Sequence, residues 1–269
     1  MNQTFDIHRF TLMLKLDLAE KGRNMLLLAS LLIVAILLML LPITMSKEWS
    51  GFREALHIIA LFCVLLFGST FYTSYAFTQY SSPSTGIAAL LVPASKLEKF
   101  LSSLLINLVF IIPFLLFFIK LHHVTIDIAN AKLPVGGMKY NILPAEVLTY
   151  FNYCYFILHS VVFLGSIYFT KASYIKTAVF AFVTVLVVVF SNLGIANLFV
   201  GTTGKLVTFP MSSWKIWDSS NMYMIRDGHA KFFHIVHPAD AMYAFQAFAA
   251  LVTLCFWYIS YLRLKEKEI

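Results

Sequence analysis

Six apolar runs of about twenty residues, each long enough to cross roughly 30 Å of hydrocarbon, leave this chain few ways to fold. Inside a bilayer every backbone amide and carbonyl has to be satisfied by the protein itself, so such runs pack as helices. They read as residues 25–46, 55–77, 100–119, 147–170, 177–200 and 241–262. Only 12% of the 269 residues are charged, about half of what an ordinary soluble domain carries. The fold class is therefore all-α: a polytopic, multi-pass membrane protein whose residues 1–269 form a single transmembrane domain. Pro113 falls within the third span, where neighbouring helices can satisfy the carbonyl it frees. Cys63, Cys154 and Cys255 all lie in apolar stretches and read as small buried hydrophobes, with no disulfide framework.

Between the second and third spans the pattern changes. Tyr80 to Phe100, Y-S-S-P-S-T-G-I-A-A-L-L-V-P-A-S-K-L-E-K-F, carries no charge before Lys96, yet has too much Ser, Pro and Gly for a span. Ser84 precedes a short apolar run and reads as the N-cap of a helix over 84–92. Pro93 stops that helix. Ser95 and Glu98 then stand at the S-x-x-E spacing of a capping box, which predicts a new helix entering the third span. A short helix, a break and a capped return make an elbow.

Residues 1–24 have helical propensity, with Thr4, His8, Thr11 and Lys15 on one polar stripe. They read as an interfacial helix lying along the membrane before the first crossing; a plain cytosolic lead-in is the alternative. With six spans both termini share a side. Arg9, Lys15, Lys21, Arg23, Lys96, Lys99, Lys171, Lys176, Arg263, Lys265 and Lys267 crowd the span ends of that side, which predicts cytoplasmic termini and a cytoplasmic elbow. The charge of +7 thus belongs to head-group anchoring and gives no reason to expect nucleic acid. Residues 120–146 read as a polar loop, 171–176 as a tight turn, and 201–240 as a long polar external loop.

Several chemistries lose support at the level of residues. Gly201 to Lys205, G-T-T-G-K, lacks the spacing and hydroxyl residue of a phosphate loop. His229, His234, His237 and Asp240 could ligate a metal, but without H-E-x-x-H spacing a solvated cluster is the favoured reading, and no metal site is assigned. An intramembrane hydrolase would need a nucleophile paired with a base such as His57 or His159, and no G-x-S-x-G supports one. No carboxylate sits in the middle of a span, which argues against ion coupling. His57, Asn107, Asn152, His159, Asn192, Asn197 and Gln246 are the polar residues at depth. Most read as interhelical hydrogen-bond formers; Asn107, His159, Asn192, Asn197 and Gln246 are the candidates for lining a substrate path.

The segment Leu91-Val92-Pro93-Ala94-Ser95-Lys96-Leu97-Glu98-Lys99-Phe100 is similar to the L-x-P-A-S-x-x-E-K-F stretch of type-2 ABC exporter permeases, especially those of Bacteroidetes-like bacteria. The tail Arg263-Leu264-Lys265-Glu266-Lys267-Glu268 resembles their cytosolic ending, and the helix count and elbow match their architecture. The resemblance implies a permease subunit in the bacterial cytoplasmic (inner) membrane, with no catalytic residues and no cofactor of its own. ATP and Mg would be bound by a partner ATP-binding-cassette ATPase, and a second permease copy or paralogue would complete a homo- or heterodimer. It further implies that residues 84–92 are a coupling helix seated in the ATPase, with Ser84, Thr85, Ile87, Leu90, Leu91, Pro93, Ser95, Glu98 and Lys99 as the coupling residues. Related polysaccharide exporters carry apolar re-entrant helices between spans five and six. Here residues 205–231 are polar, so a re-entrant gate and an external cap both stay open. The alternative to transport is a membrane anchor or sensor that recruits partners and moves nothing.

Overall fold

A computed structural model describes residues 4–80, 83–200, 205–207, 214–217, 232–235 and 239–267. Among them six helical stretches are long and apolar enough to cross a membrane: Ile7–Met45, Gly51–Tyr80, Lys96–Lys132, Val147–Tyr168, Ser173–Ile195 and Tyr243–Glu266. The chain divides into two compact units, residues 1–176 with 253–269, and residues 177–252.

The first unit starts with α1, Ile7–Leu40, a single helix of 34 residues. At 1.5 Å per residue it is about 50 Å long. The break expected between an interfacial segment and the first span is not there. Asp6 caps α1, its Oδ1 accepting from the amides of His8 at 2.7 Å and Arg9 at 3.1 Å. Those amides, that of Arg9 foremost, hold the exposed carboxyl below its usual range. The polar lead-in keeps helical hydrogen bonding throughout, so nothing forces a turn before Pro42, which lies in a 3-10 turn, Leu41–Met45.

The second span is composite: α2, Gly51–Ile59, a π-helical stretch, Ala60–Leu66, and α3, Phe67–Thr73. After α4, Pro83–Leu91, comes α5, Lys96–Lys132, which stays continuous through Pro113. The helix overruns the span expected at 100–119. Its pattern of apolar residues continues past Lys120 until Leu133, which precedes Pro134 and is extended, as sterics before proline favour. The polar loop thus shrinks to residues 133–144. α6, Ala145–Tyr168, follows, and α7, Ser173–Val200, begins after a short turn in which Ala172 takes φ 52°.

Packing in this unit is aromatic and tight. Ile36, Leu40, Leu61, Leu65, Phe110, Phe118 and Phe151 form the main core from α1, the π stretch, α5 and α6. Tyr72 stacks on Phe110 at 4.2 Å between ring centroids. Cys63, Cys154 and Cys255 are exposed on the helix surfaces, against the expectation of burial. At Gly68 the crossing with α1 is close enough that an added Cβ would lie 2.3 Å from Cδ2 of Leu32. Small residues permit such approaches between membrane helices.

The far end of α5 is clamped by polar contacts. His57 and His122, both buried, bring their Nδ1 atoms to 2.7 Å. The Leu143 amide donates to Nε2 of His122 at 3.0 Å. That leaves the His122 proton on Nδ1, donating to His57. Asn130 exchanges two hydrogen bonds with the Tyr140 backbone, and the Ser50 amide donates to the Tyr140 hydroxyl.

In the second unit, residues expected to form a polar loop contain three short strands: β1, Lys205–Val207, β2, Trp214–Trp217, and β3, Phe232–Ile235. They pair antiparallel in the order β1-β2-β3, with Leu206 opposite Ile216 and Ile216 opposite Phe233. Val207, Trp214, Ile216, Trp217, Phe232, Phe233 and Ile235 are β-branched or aromatic types that strands favour. α8, Ala239–Glu266, belongs to this unit up to Val252 and to the first unit from Thr253.

Two substitutions probe these packings. Gly68→Val should overfill the α1–α3 crossing and cost about 1–3 kcal/mol, read as a lower unfolding midpoint in detergent. An unchanged midpoint would mean that the helices do not meet there. His122→Phe keeps the ring but orphans the Leu143 amide and His57. That amide should exchange with solvent at least about tenfold faster, measured by hydrogen exchange.

Candidate functional site

The elbow is built from short-range chemistry first. α4 begins at Pro83 rather than after Ser84, so Ser84 lies in the first turn and is not the N-cap. Proline is well suited to a helix start, where its fixed φ fits and its missing N–H costs nothing. The helix ends at Leu91, just ahead of Pro93. On α4, Ile87 is 50% exposed and Leu91 77% exposed. At i and i+4 they share a face. Ala89 turns the other way and packs on the core of Phe77, Tyr80, Phe100, Phe163 and Leu264. Thr85 is exposed and makes polar contacts of its own; the side chains of Ser84 and Leu90 are outside the described atoms.

The capping box forms as its spacing predicts. Ser95 Oγ accepts from the Glu98 amide at 3.2 Å, and Glu98 Oε2 accepts from the Ser95 amide at 2.7 Å. What the spacing does not announce is the second half of Glu98. Its Oε1 accepts from the Asp6 amide at 2.8 Å and from Arg9 Nη2 at 3.1 Å. The side chain of Glu98 is wholly covered, while that of Arg9 is 33% exposed. With Arg9 partly in water, the ion pair itself adds little. The two amides, which point at a carboxylate shielded from water, contribute more.

Lysines extend the joint. Lys99 Nζ donates to the Ala89 carbonyl at 2.8 Å, so the start of α5 holds the end of α4. Lys96 donates to the Lys265 carbonyl on α8. Lys267 donates to the Tyr80 carbonyl at 3.2 Å. One elbow is thereby tied to α1, α5 and α8.

No protein family, curated protein or solved structure matches this chain. The site is therefore read from its own geometry.

Of the residues proposed for a substrate path, the first unit holds Asn107 and His159. They are linked through Tyr155, whose hydroxyl donates to the Asn107 carbonyl at 3.4 Å and whose ring lies 5.6 Å from that of His159. Asn107 borders a cavity of ≈ 460 Å³ together with Lys21, Asn24, Leu28, Phe71 and Tyr72. His159 is not among the residues lining that cavity. It is fully buried among Tyr155, Phe163 and Trp257, and neither ring nitrogen has a hydrogen-bond partner among the described residues. Asn192 and Gln246 belong to the second unit, where Asn192 already makes a polar contact; the side chain of Asn197 is outside the described atoms.

Three polar groups escaped the reading of the sequence. Asp17 is buried and accepts from Ser102 Oγ at 2.5 Å, with Lys21 3.5 Å away. Lys21 also donates to the Ala76 carbonyl at 3.1 Å. A lead-in read as interfacial gave no cue that Asp17 would face α5. The His57–His122 pair is the third. His57, offered by the sequence as a catalytic base, is committed to another imidazole. Of the histidines weighed against a solvated cluster, His229 and His237 fall outside the described residues.

Ser95→Ala removes one cap and should cost about 1 kcal/mol. Glu98→Ala strands two amides and Arg9 together and should cost about 2–3 kcal/mol, while freeing residues 4–10 to protease. Unfolding midpoints and N-terminal cleavage rates check both. Equal, small effects would deny Glu98 its place at the joint.

Proposed function

We propose that this chain is the membrane-spanning permease subunit of an ATP-binding-cassette exporter, energised by a separate ATPase subunit. The observation that carries the reading is α4: a nine-residue helix that offers Ile87 and Leu91 outward while Glu98, Lys96, Lys99 and Lys267 hold its surroundings to three long helices. Exposed apolar residues beside a rigid joint suit a docking point that passes force. Residues 84–92 act as the coupling helix, and Pro93, Ser95 and Glu98 fix its exit into α5.

In this reading ATP and Mg bind to the partner, and closure of two ATPase subunits pushes on α4 in each of two permease copies. The push moves spans as rigid bodies, a common form of switching between packed states. Substrate has to bind the two states with different affinity for the motion to transport anything. Asn107 beside its cavity, and His159 next to Tyr155, are the groups in the first unit that such a motion would present to cargo. The chain resides in the bacterial cytoplasmic membrane with both termini and the elbow in the cytoplasm.

Co-expression with an ATP-binding-cassette ATPase tests this. Ile87→Asp combined with Leu91→Asp should abolish co-purification while the permease alone elutes unchanged. A Thr85→Cys variant should react with an impermeant maleimide in inside-out vesicles and not in intact cells. ATP-dependent uptake by such vesicles separates an exporter from an anchor that moves nothing. Labelling of Thr85→Cys from outside would overturn the topology and the function together.

A further inference from the structure

A second cavity, ≈ 760 Å³, opens where α5 begins and α8 ends. Lys96 and Lys265 border it on one side, and Phe5, Leu97 and Leu264 supply apolar wall. No carboxylate borders it among the described residues. Of the acids nearby, Glu98 is engaged by Asp6, Arg9 and Ser95, and Glu266 pairs with Arg263 at 3.0 Å. Among the described residues no ion pair includes Lys96, Lys265 or Lys267. The hydrogen bonds that Lys96 and Lys267 make go to backbone carbonyls, which take up one ammonium donor of three and cancel no charge.

A cationic rim over an apolar wall is half of an amphipathic contact. Its position at the ends of two candidate spans puts it at head-group depth, where a lysine near an anionic surface gains attraction. An acidic protein segment would meet the same charge, yet would leave Phe5, Leu97 and Leu264 facing polar chain. Burial and the nearby Arg263 already hold Lys267 below the usual lysine range, as expected of a cation lacking its counter-ion.

We propose that this groove binds an anionic phospholipid, its phosphate between Lys96 and Lys265 and the start of one acyl chain against Leu97 and Leu264. Leu91, an outward residue of the coupling role, also borders this cavity, but lipid binding needs no ATPase and is read without one, so its failure and that of the coupling role are told apart.

The test uses the full chain alone, delipidated in detergent and then mixed with equal amounts of phosphatidylglycerol and phosphatidylcholine. Native mass spectrometry should show phosphatidylglycerol retained about tenfold over phosphatidylcholine. Lys265→Gln should cut that preference about fivefold, Lys265→Glu should erase it, and Lys265→Arg should keep it. Lys265 is exposed, so these variants leave the fold alone, and an unchanged elution profile checks that. Leu97→Ala should weaken both lipids. Equal retention of the two lipids, or a preference indifferent to Lys265→Glu, overturns the proposal. Displacement by millimolar inorganic phosphate would make this a phosphate site without a lipid. Loss of ATPase co-purification by Lys265→Glu with lipid preference intact would give the groove to an acidic protein partner instead.

Discussion

The carboxylate of Glu98 is the contact on which the rest of the first unit turns. A buried carboxylate is costly unless every lone pair is used, and this one receives the amides of Asp6 and Ser95 and the guanidinium of Arg9. Two of those donors come from chain 92 and 89 residues away. The start of α1 and the start of α5 therefore cannot separate without exposing two donors, the Asp6 amide and Arg9, and an anion at once. Such all-or-none contacts make two helices behave as one body.

The same logic recurs further along α1. Asp17 reaches Ser102, and Lys21 reaches the end of the second span at Ala76. Asp17 is buried and the Lys21 side chain only 19% exposed, so little water competes for these groups and few are needed to fix which helices adjoin. At the other end of α5, His57, His122 and the Leu143 amide form a chain of hydrogen bonds. Between the clamps, the second span is π-helical over Ala60–Leu66. Such insertions widen the helix and weaken its hydrogen bonding, and they are frequent where helices deform for function.

Local patterns made the helices legible and left their pairing hidden. Six apolar stretches long enough to span, and the Ser95–Glu98 box, follow from spacing alone, because the groups that interact are three or four residues apart. The end of α5 was misjudged by a dozen residues, since Lys120 looked like a span boundary while the helix needed Pro134 to stop it. The Ser84 hydroxyl suits a cap, but Pro83 fits a helix start better, and α4 begins there. Nothing near Arg9 or Asp17 points to α5, for their partners are set by how the helices cross. The strands among 205–235 have β-branched and aromatic residues, but three- and four-residue elements are too brief to stand out from a polar loop.

The shortness of α4 carries its own consequence. A helix of nine residues is unstable alone in water, since nucleation is costly and few bonds follow it. Its order has to come from the contacts of Ala89 with the neighbouring core and from Lys99 holding its last turn. Whatever docks on Ile87 and Leu91 thus grips an element whose order rests on that core and on Lys99. In the coupling role proposed for α4, force on it would pass through Lys99 to α5, and from Glu98 to the start of α1.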